Sequence, residues 1–226
     1  MIKNKFYLFA LLFFSAQSIF GQATKADPID IQGWFGANVE ADLPQKWSFD
    51  FSYQTRLNNN LTKNNGSYYS FGTKKRLFKP LSLLGEYRLS KVLKGTYNRF
   101  TAGVDIDYNI KKIKTDFRLL YQNQIQDFDD LRKENDDDHF FRARIRGRFP
   151  LAKNTSILLS MEPIYNIASG ITIDNYRHQV SFRYNFKKYL RAELFYINRS
   201  DYAKKYRRQY HIFGTTITYS FKIKSK

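Results

Sequence analysis

The chain contains no cysteine, and it is poor in histidine (three), proline (five) and tryptophan (two). Without thiols there is no disulfide, no thiolate metal site and no lipoprotein acylation site. Acidic residues are also scarce, 20 against 38 Lys and Arg, for a formal charge of +18. Beyond Phe20 no apolar run approaches the roughly 20 residues that a helical membrane span requires. The mean hydropathy of −0.56 agrees, so a helical membrane protein is excluded. A membrane barrel is not, because its strands alternate and its averages look soluble. No phosphate-cradling glycine loop, zinc-ligand spacing or nucleophile elbow occurs, and no cofactor is expected.

The first residues read as a secretory leader: Lys3 and Lys5, an apolar stretch Phe6–Phe14, then small residues from Ser15 to Gly21, with residues 1–21 removed on export. Export changes the meaning of the basic charge. In a cytosolic protein it would point to nucleic acid; outside the cytoplasm the expected partners are phosphate-bearing lipids, anionic solutes or internal carboxylates.

What the chain has in abundance is aromatics, 17 Tyr and 21 Phe, and strict alternation. In FFRARIRGRF, Arg142, Arg144, Arg146 and Arg148 take every second place, and Phe141, Ala143, Ile145, Gly147 and Phe149 fill the gaps. Period two is the strand signal, since successive side chains point to opposite faces. Runs of the same kind recur at Lys46–Arg56, Ser67–Phe78, Leu81–Lys91, Asn98–Ile110, Ile113–Gln126, Thr155–Asn166, Asp174–Phe186, Tyr189–Arg199 and Gln209–Phe221. The connectors at 78–80, 110–113, 150–154 and 186–189 are tight. Those at 57–66, 92–97, 127–138, 167–173 and 200–208 are longer and polar. Short turns at one end and long loops at the other describe an all-β, antiparallel, up-and-down transmembrane β-barrel with periplasmic turns and extracellular loops. The barrel is expected over residues 46–221, after an entry segment 22–45 with room for a first strand and before a periplasmic tail 222–226. Bacterial barrels normally have even strand numbers. The ten runs satisfy that rule, and Asp30–Val39, with Gly33, Trp34 and Phe35, either pairs with a further strand to give twelve or remains an extended entry segment.

The two faces differ in charge. One carries Asp50, Glu86, Asp105, Asp107, Asp116, Glu162 and Glu193 against Arg56, Lys74, Arg76, Arg88, Arg99, Arg118, Arg142, Arg144, Arg146, Arg148, Arg177, Arg183, Arg191 and Arg199; the other is almost uncharged, with Lys75 the exception, placed to snorkel at an interface. A one-residue slip would turn Arg142–Arg148 toward lipid at about 2–4 kcal/mol each near the midplane. The register therefore places the arginines inside a wet cationic lumen. Trp47, Tyr108, Phe149, Tyr165, Tyr184, Phe186 and Tyr189, near strand ends, are expected in the interfacial aromatic girdles.

Trp34, Arg56, Glu86-Tyr87-Arg88, FRLLYQ at Phe117–Gln122, FFRARIRGRF, MEPIYN at Met161–Asn166 and YRHQVSFRYNF at Tyr176–Phe186 occur in an order that resembles domain of unknown function family 2490, outer-membrane barrels common in Bacteroidota. The resemblance covers nearly the whole exported chain. It implies a barrel fold and an outer-membrane location, without an activity or catalytic residues. One departure is the tail Lys222–Lys226 after Phe221, which implies that the barrel-assembly machinery reads an internal signal.

Three other features have candidate chemistry. Asp127, Asp129, Asp130, Asp136, Asp137 and Asp138 crowd one loop; this is either a divalent-cation site or a solvated surface loop, and it lacks the glycine and spacing of a calcium loop. Asp138-His139 offers an acid and a base for a surface protease. His178 and His211 could serve a lipid hydrolase with Ser181 or Ser220, but parity puts those serines on the opposite face. The lumen charges (Arg142, Arg144, Arg146, Arg148, Arg118, Asp116, Glu162, Glu86, Arg88, Arg99, Asp105, Arg177, Arg183, Arg191, Glu193) read either as structural ladders or as an anion path, since arginine rings favour anions. The expectation is a monomeric, non-enzymatic outer-membrane barrel in contact with outer-membrane lipids including lipopolysaccharide. It is either a narrow passive channel for small anions or a closed structural barrel, and the alternative is a barrel enzyme acting on lipid or surface peptides.

Overall fold

The computed structural model describes residues 29–93, 95–126, 138–168, 170–202 and 207–223. Residues 1–28, which include the expected leader, together with most of the acidic loop and the last three residues, lie outside them. Eleven strands follow one another: β1 (Ile29–Asp42), β2 (Trp47–Asn58), β3 (Lys63–Arg76), β4 (Leu81–Val92), β5 (Gly95–Ile110), β6 (Ile113–Gln126), β7 (Asp138–Ala152), β8 (Thr155–Asn166), β9 (Thr172–Lys187), β10 (Leu190–Asp201) and β11 (Arg208–Lys222). Each pairs antiparallel with its neighbours in sequence, and β1 closes the barrel against β11. That closing seam is parallel, running from Ile29↔Gln209 to Asp42↔Lys222.

The seam revises the parity expectation. Asp30–Val39 is neither an entry segment nor half of an added hairpin. It is a full strand, and the barrel begins at Ile29 rather than Lys46. Its pattern explains why. Gln32, Trp34, Asn38 and Glu40 alternate with Ile31, Phe35, Ala37 and Val39, so one strand can present a polar inner face and an apolar outer face in register with both neighbours.

Two connectors expected to be long are short. β2 and β3 run on until only 59–62 separates them, and β4 and β5 until only 93–94 does. Cross-strand pairing continues up to Asn58↔Lys63 and Val92↔Gly95, because extending the ladder satisfies backbone groups that a loop would leave to water. The long-loop rim therefore carries its larger connectors at 127–137, 167–171 and 202–207, while the opposite rim has 43–46, 77–80, 111–112, 153–154 and 188–189.

Outward positions are apolar and solvent-facing along the wall: Phe51, Phe71, Phe100, Leu194, Phe213 and Ile217 are each more than half exposed. A closed sheet with such an exterior has no free edge and no unsatisfied backbone at its wall, the condition for crossing lipid. Tyr53 packs tilted against Tyr69 at 5.3 Å, and Tyr87 against Phe100 at 5.1 Å, toward the long-loop side. Tyr184–Phe186 at 4.9 Å and Tyr189–Tyr219 at 5.6 Å lie at the short-turn rim. Lys75 sits at that rim, its Nζ donating to the Gln45 carbonyl at 2.9 Å and lying 4.7 Å from the Trp47 ring. Phe149 departs from the girdle expectation: it is 6% exposed, packed where the β7–β8 pairing shifts register at Pro150/Ala152.

Candidate functional site

Alternation sends Arg142, Arg144, Arg146 and Arg148 of β7 to the inner face, where each meets what its neighbours offer. Arg142 donates from Nε and Nη2 to Glu162 Oε1 of β8 (3.1 and 2.8 Å) and from Nη1 to Gln122 Oε1 of β6 (3.0 Å). Arg144 Nη2 and Arg146 Nε divide the Asp116 carboxylate of β6, at 2.9 and 2.7 Å. Arg148 has no carboxylate within 4.0 Å among the described residues.

The other inner charges form similar bridges. Asp105, 2% exposed, accepts from Lys74 Nζ at 2.7 Å and from Arg118 at 3.3 Å. Glu86 accepts from Arg99 at 2.7 Å and lies 3.4 Å from Arg88, whose Nε donates to Ser70 Oγ at 2.6 Å. Arg183 meets Glu193 at 2.6 Å. Arg191 of β10 reaches over β11 to Glu40 of β1, which also accepts from Ser220 Oγ at 3.0 Å. Arg177 Nε donates to Asn175 Oδ1 at 2.9 Å and has no carboxylate within ion-pair distance among the described residues. Charge-assisted bonds of this kind offset the desolvation of each ion, and removing one partner leaves the other stranded.

Several inner residues did not stand out in the sequence. Glu40 and Asp201 are interior acids; Asp201 takes Arg199 at 2.6 and 2.7 Å. An apolar cluster of Trp34, Ile197 and Ile212, with Phe195 and Tyr210 against it, fills the barrel beside the seam. The available signal was parity, since Ile197 and Ile212 occupy polar-face places in their runs. Against this cluster Arg56 is held between two rings, its guanidinium carbon 3.8 Å from both the Trp34 and Tyr68 centroids, and its Nε donates to Gln54 at 2.7 Å.

The interior is divided into chambers of opposite character. A cavity of about 290 Å³ on the long-loop side is walled by β2 to β10 and carries Arg56, Arg88, Arg99, Arg177 and Arg199 with one acid, Asp174. A second, about 310 Å³, lies toward the short turns and carries Glu40, Asp42, Asp50 and Glu86 against Lys74 and Arg118. A third, about 420 Å³, opens at the short-turn rim by Arg76, Lys114, Arg146 and Arg148 with Asp107 and Asp116. Glu86 lines one chamber and its partners Arg88 and Arg99 line another, so their ion pairs lie between the two, beside a fourth cavity of about 210 Å³ that shares Asp50 with the second and Tyr68 and Arg88 with the first.

The remaining candidates do not assemble. Asp127, Asp129, Asp130, Asp136 and Asp137 lie outside the described residues, and no group of carboxylates or histidines able to hold a metal occurs among the described ones. Asp138 starts β7 and points away from His139, whose Nδ1 pairs with the Tyr121 hydroxyl at 2.7 Å on the outer face. His178 and His211 also face outward. His211 Nδ1 meets the Tyr196 hydroxyl at 2.7 Å, while Ser220 and Ser181 bond inside to Glu40 and Gln179.

An apolar, aromatic-banded wall around a charged and partly hollow interior defines a transmembrane β-barrel. The chain belongs to the family described as "Protein of unknown function (DUF2490)", which matches residues 31–210. No curated protein matches the sequence. Among solved structures, the chain is similar to Pseudomonas aeruginosa OccK8 (OprE), with 11% identity, a TM-score of 0.35, and coverage of 70% of this chain and 54% of that one. It is also similar to a bacterial polysaccharide outer membrane secretin (7%, 0.46, 73% and 72%) and to Acinetobacter baumannii OccAB4 (14%, 0.36, 71% and 48%). It spans about half the length of the first and third of these.

Proposed function

We propose that the protein resides in the outer membrane, as a monomer inserted by the barrel-assembly machinery and bounded by lipid including lipopolysaccharide, and that its interior is a narrow passive path biased to small anions. One observation carries this reading: three inner guanidiniums, Arg56 and Arg177 toward the long loops and Arg148 toward the short turns, have no carboxylate within ion-pair distance among the described residues. Unpaired positive charge in a confined space needs water or anions, and basic linings favour anion entry. A second reading, a closed structural barrel, is favoured by the Glu86–Arg88–Arg99 ion pairs across the interior and by the acidic chamber beneath them.

Planar-bilayer recording tests the two. Small anion-selective steps that shrink when Arg144 and Arg146 become Ser support the path. Electrical silence from a folded, inserted protein supports the closed barrel.

A further inference from the structure

We propose that the chamber on the long-loop side is a binding site for a small phosphoryl dianion, inorganic phosphate or a phosphate monoester. The proposal rests on the reading that the interior admits anions, and it specifies what is held there.

The charge count sets the valence. Five guanidiniums face the chamber. Glu86 serves Arg88 and Arg99 together, Asp201 serves Arg199, and Asp174 stands in the wall. Among the described residues, five cations against three carboxylates leave a net charge of plus two, and Arg56 and Arg177 are the two guanidiniums with no carboxylate within ion-pair distance, which suits a dianion. Arg56 is on β2 and Arg177 on β9, with Arg88 and Arg99 on β4 and β5 between them. Donors thus converge from several walls. A tetrahedral phosphoryl group offers oxygens in as many directions, whereas a planar carboxylate offers only two in one plane.

Preorganisation supports the same assignment. Arg56 is clamped between the Trp34 and Tyr68 rings, 3.8 Å from each, so little side-chain freedom is lost when it binds. The space, about 290 Å³, is several times the roughly 30 Å³ share of one water. It holds a phosphate with water or a small organic group. Asp174 repels a fully ionised polyanion but accepts from a hydroxyl, which suits a monoester carrying hydroxyl groups.

Trp34 provides the readout. Trp47 is on the outer wall at the far rim, so Trp47→Phe leaves a single tryptophan, inside the barrel and stacked on Arg56. The full-length protein is folded in a maltoside detergent, which has no phosphate head group. Inorganic phosphate is titrated at constant ionic strength, with chloride and succinate as comparisons. The expected result is a saturable change in Trp34 emission with phosphate, with weaker responses to succinate and none to chloride. Arg177→Gln should weaken the apparent affinity by about tenfold or more, the loss of one charge-assisted contact, while Arg76→Gln at the opposite rim leaves it unchanged. Heat-modified gel mobility verifies folding of each variant. Arg177→Lys is the second variant should the Gln form fail to fold, and it is expected to bind more weakly than the parent. A linear, unsaturable phosphate response, equal affinity for succinate, or Arg177 variants that bind like the parent would overturn the site. Binding without conductance leaves the site standing and removes the path; conductance without saturable binding does the reverse.

Discussion

The carboxylate of Glu86 accepts a hydrogen bond from Arg99 at 2.7 Å, and the two side chains face different chambers of the same barrel. This contact lies between a long-loop and a short-turn chamber. Glu86→Ala removes the carboxylate that ties Arg88 and Arg99 and is expected to enlarge single-channel steps. If the parent is silent, it is the substitution expected to produce conductance. Planar-bilayer recording checks it.

Asp116 serves Arg144 and Arg146 at once, through different oxygens. Asp116→Asn keeps the shape and deletes the charge. It should raise the anion preference measured by reversal potential, because two more guanidiniums lose their counter-ion. It should also cost about 3–5 kcal/mol in urea unfolding, as one partner of a buried pair is lost. Arg144→Ser and Arg146→Ser should move selectivity the other way.

The parallel seam is clamped from inside. Arg191 spans β11 to reach Glu40, and Gly214 lets β11 pass close to β1: a Cβ there would lie 2.3 Å from both the Trp34 carbonyl oxygen and the Phe195 ring. Gly214→Ala should lower stability by about 1–3 kcal/mol through overpacking. Glu40→Gln should cost a similar amount by leaving Arg191 without its charged partner. Gly85→Ala faces only the Thr73 methyl at 3.2 Å on the outer wall and should be nearly neutral. Thermal loss of gel-shift behaviour ranks the three.

Leu194 lies mid-strand on the outer wall, 60% exposed and paired with Phe182 and Thr215. Leu194→Arg should destabilise the barrel in lipid vesicles by about 2–4 kcal/mol, and Tyr108→Arg, near the short-turn rim, by about 0–1 kcal/mol. A barrel bathed in water would tolerate both equally, so urea titration of vesicle-folded protein tests the membrane assignment directly.

Much of the wall was legible because a strand's side-chain period is rigid. Arg142 to Arg148 could face only one way, and the inner-face pairs Asp116↔Arg146 and Glu162↔Arg177 agree with that parity. Glu40 was missed for a local reason. Glu40 lies on a strand whose glycines, Gly33 and Gly36, dilute the alternation, and its partner Arg191 is 151 positions away. The even-number rule concerns barrels closed by antiparallel pairing; it does not describe a parallel closure. The chambers were invisible for another reason: alternation assigns a side chain to the inside but says nothing of its height along the axis. Height decides that Arg56, Arg88, Arg99, Arg177 and Arg199 gather in one chamber near the long loops, while Glu40, Asp42, Asp50 and Glu86 share another nearer the short turns.

Eleven strands also make the wall mechanically uneven. Every other joint is stitched by a turn in the covalent chain, whereas β1 and β11 share only slanted parallel hydrogen bonds, weaker per residue than the antiparallel kind. Parting that one joint would leave all the hairpins whole. Closure of the cylinder thus depends on backbone hydrogen bonds and on the side chains that cross the seam, among them Arg191 on Glu40.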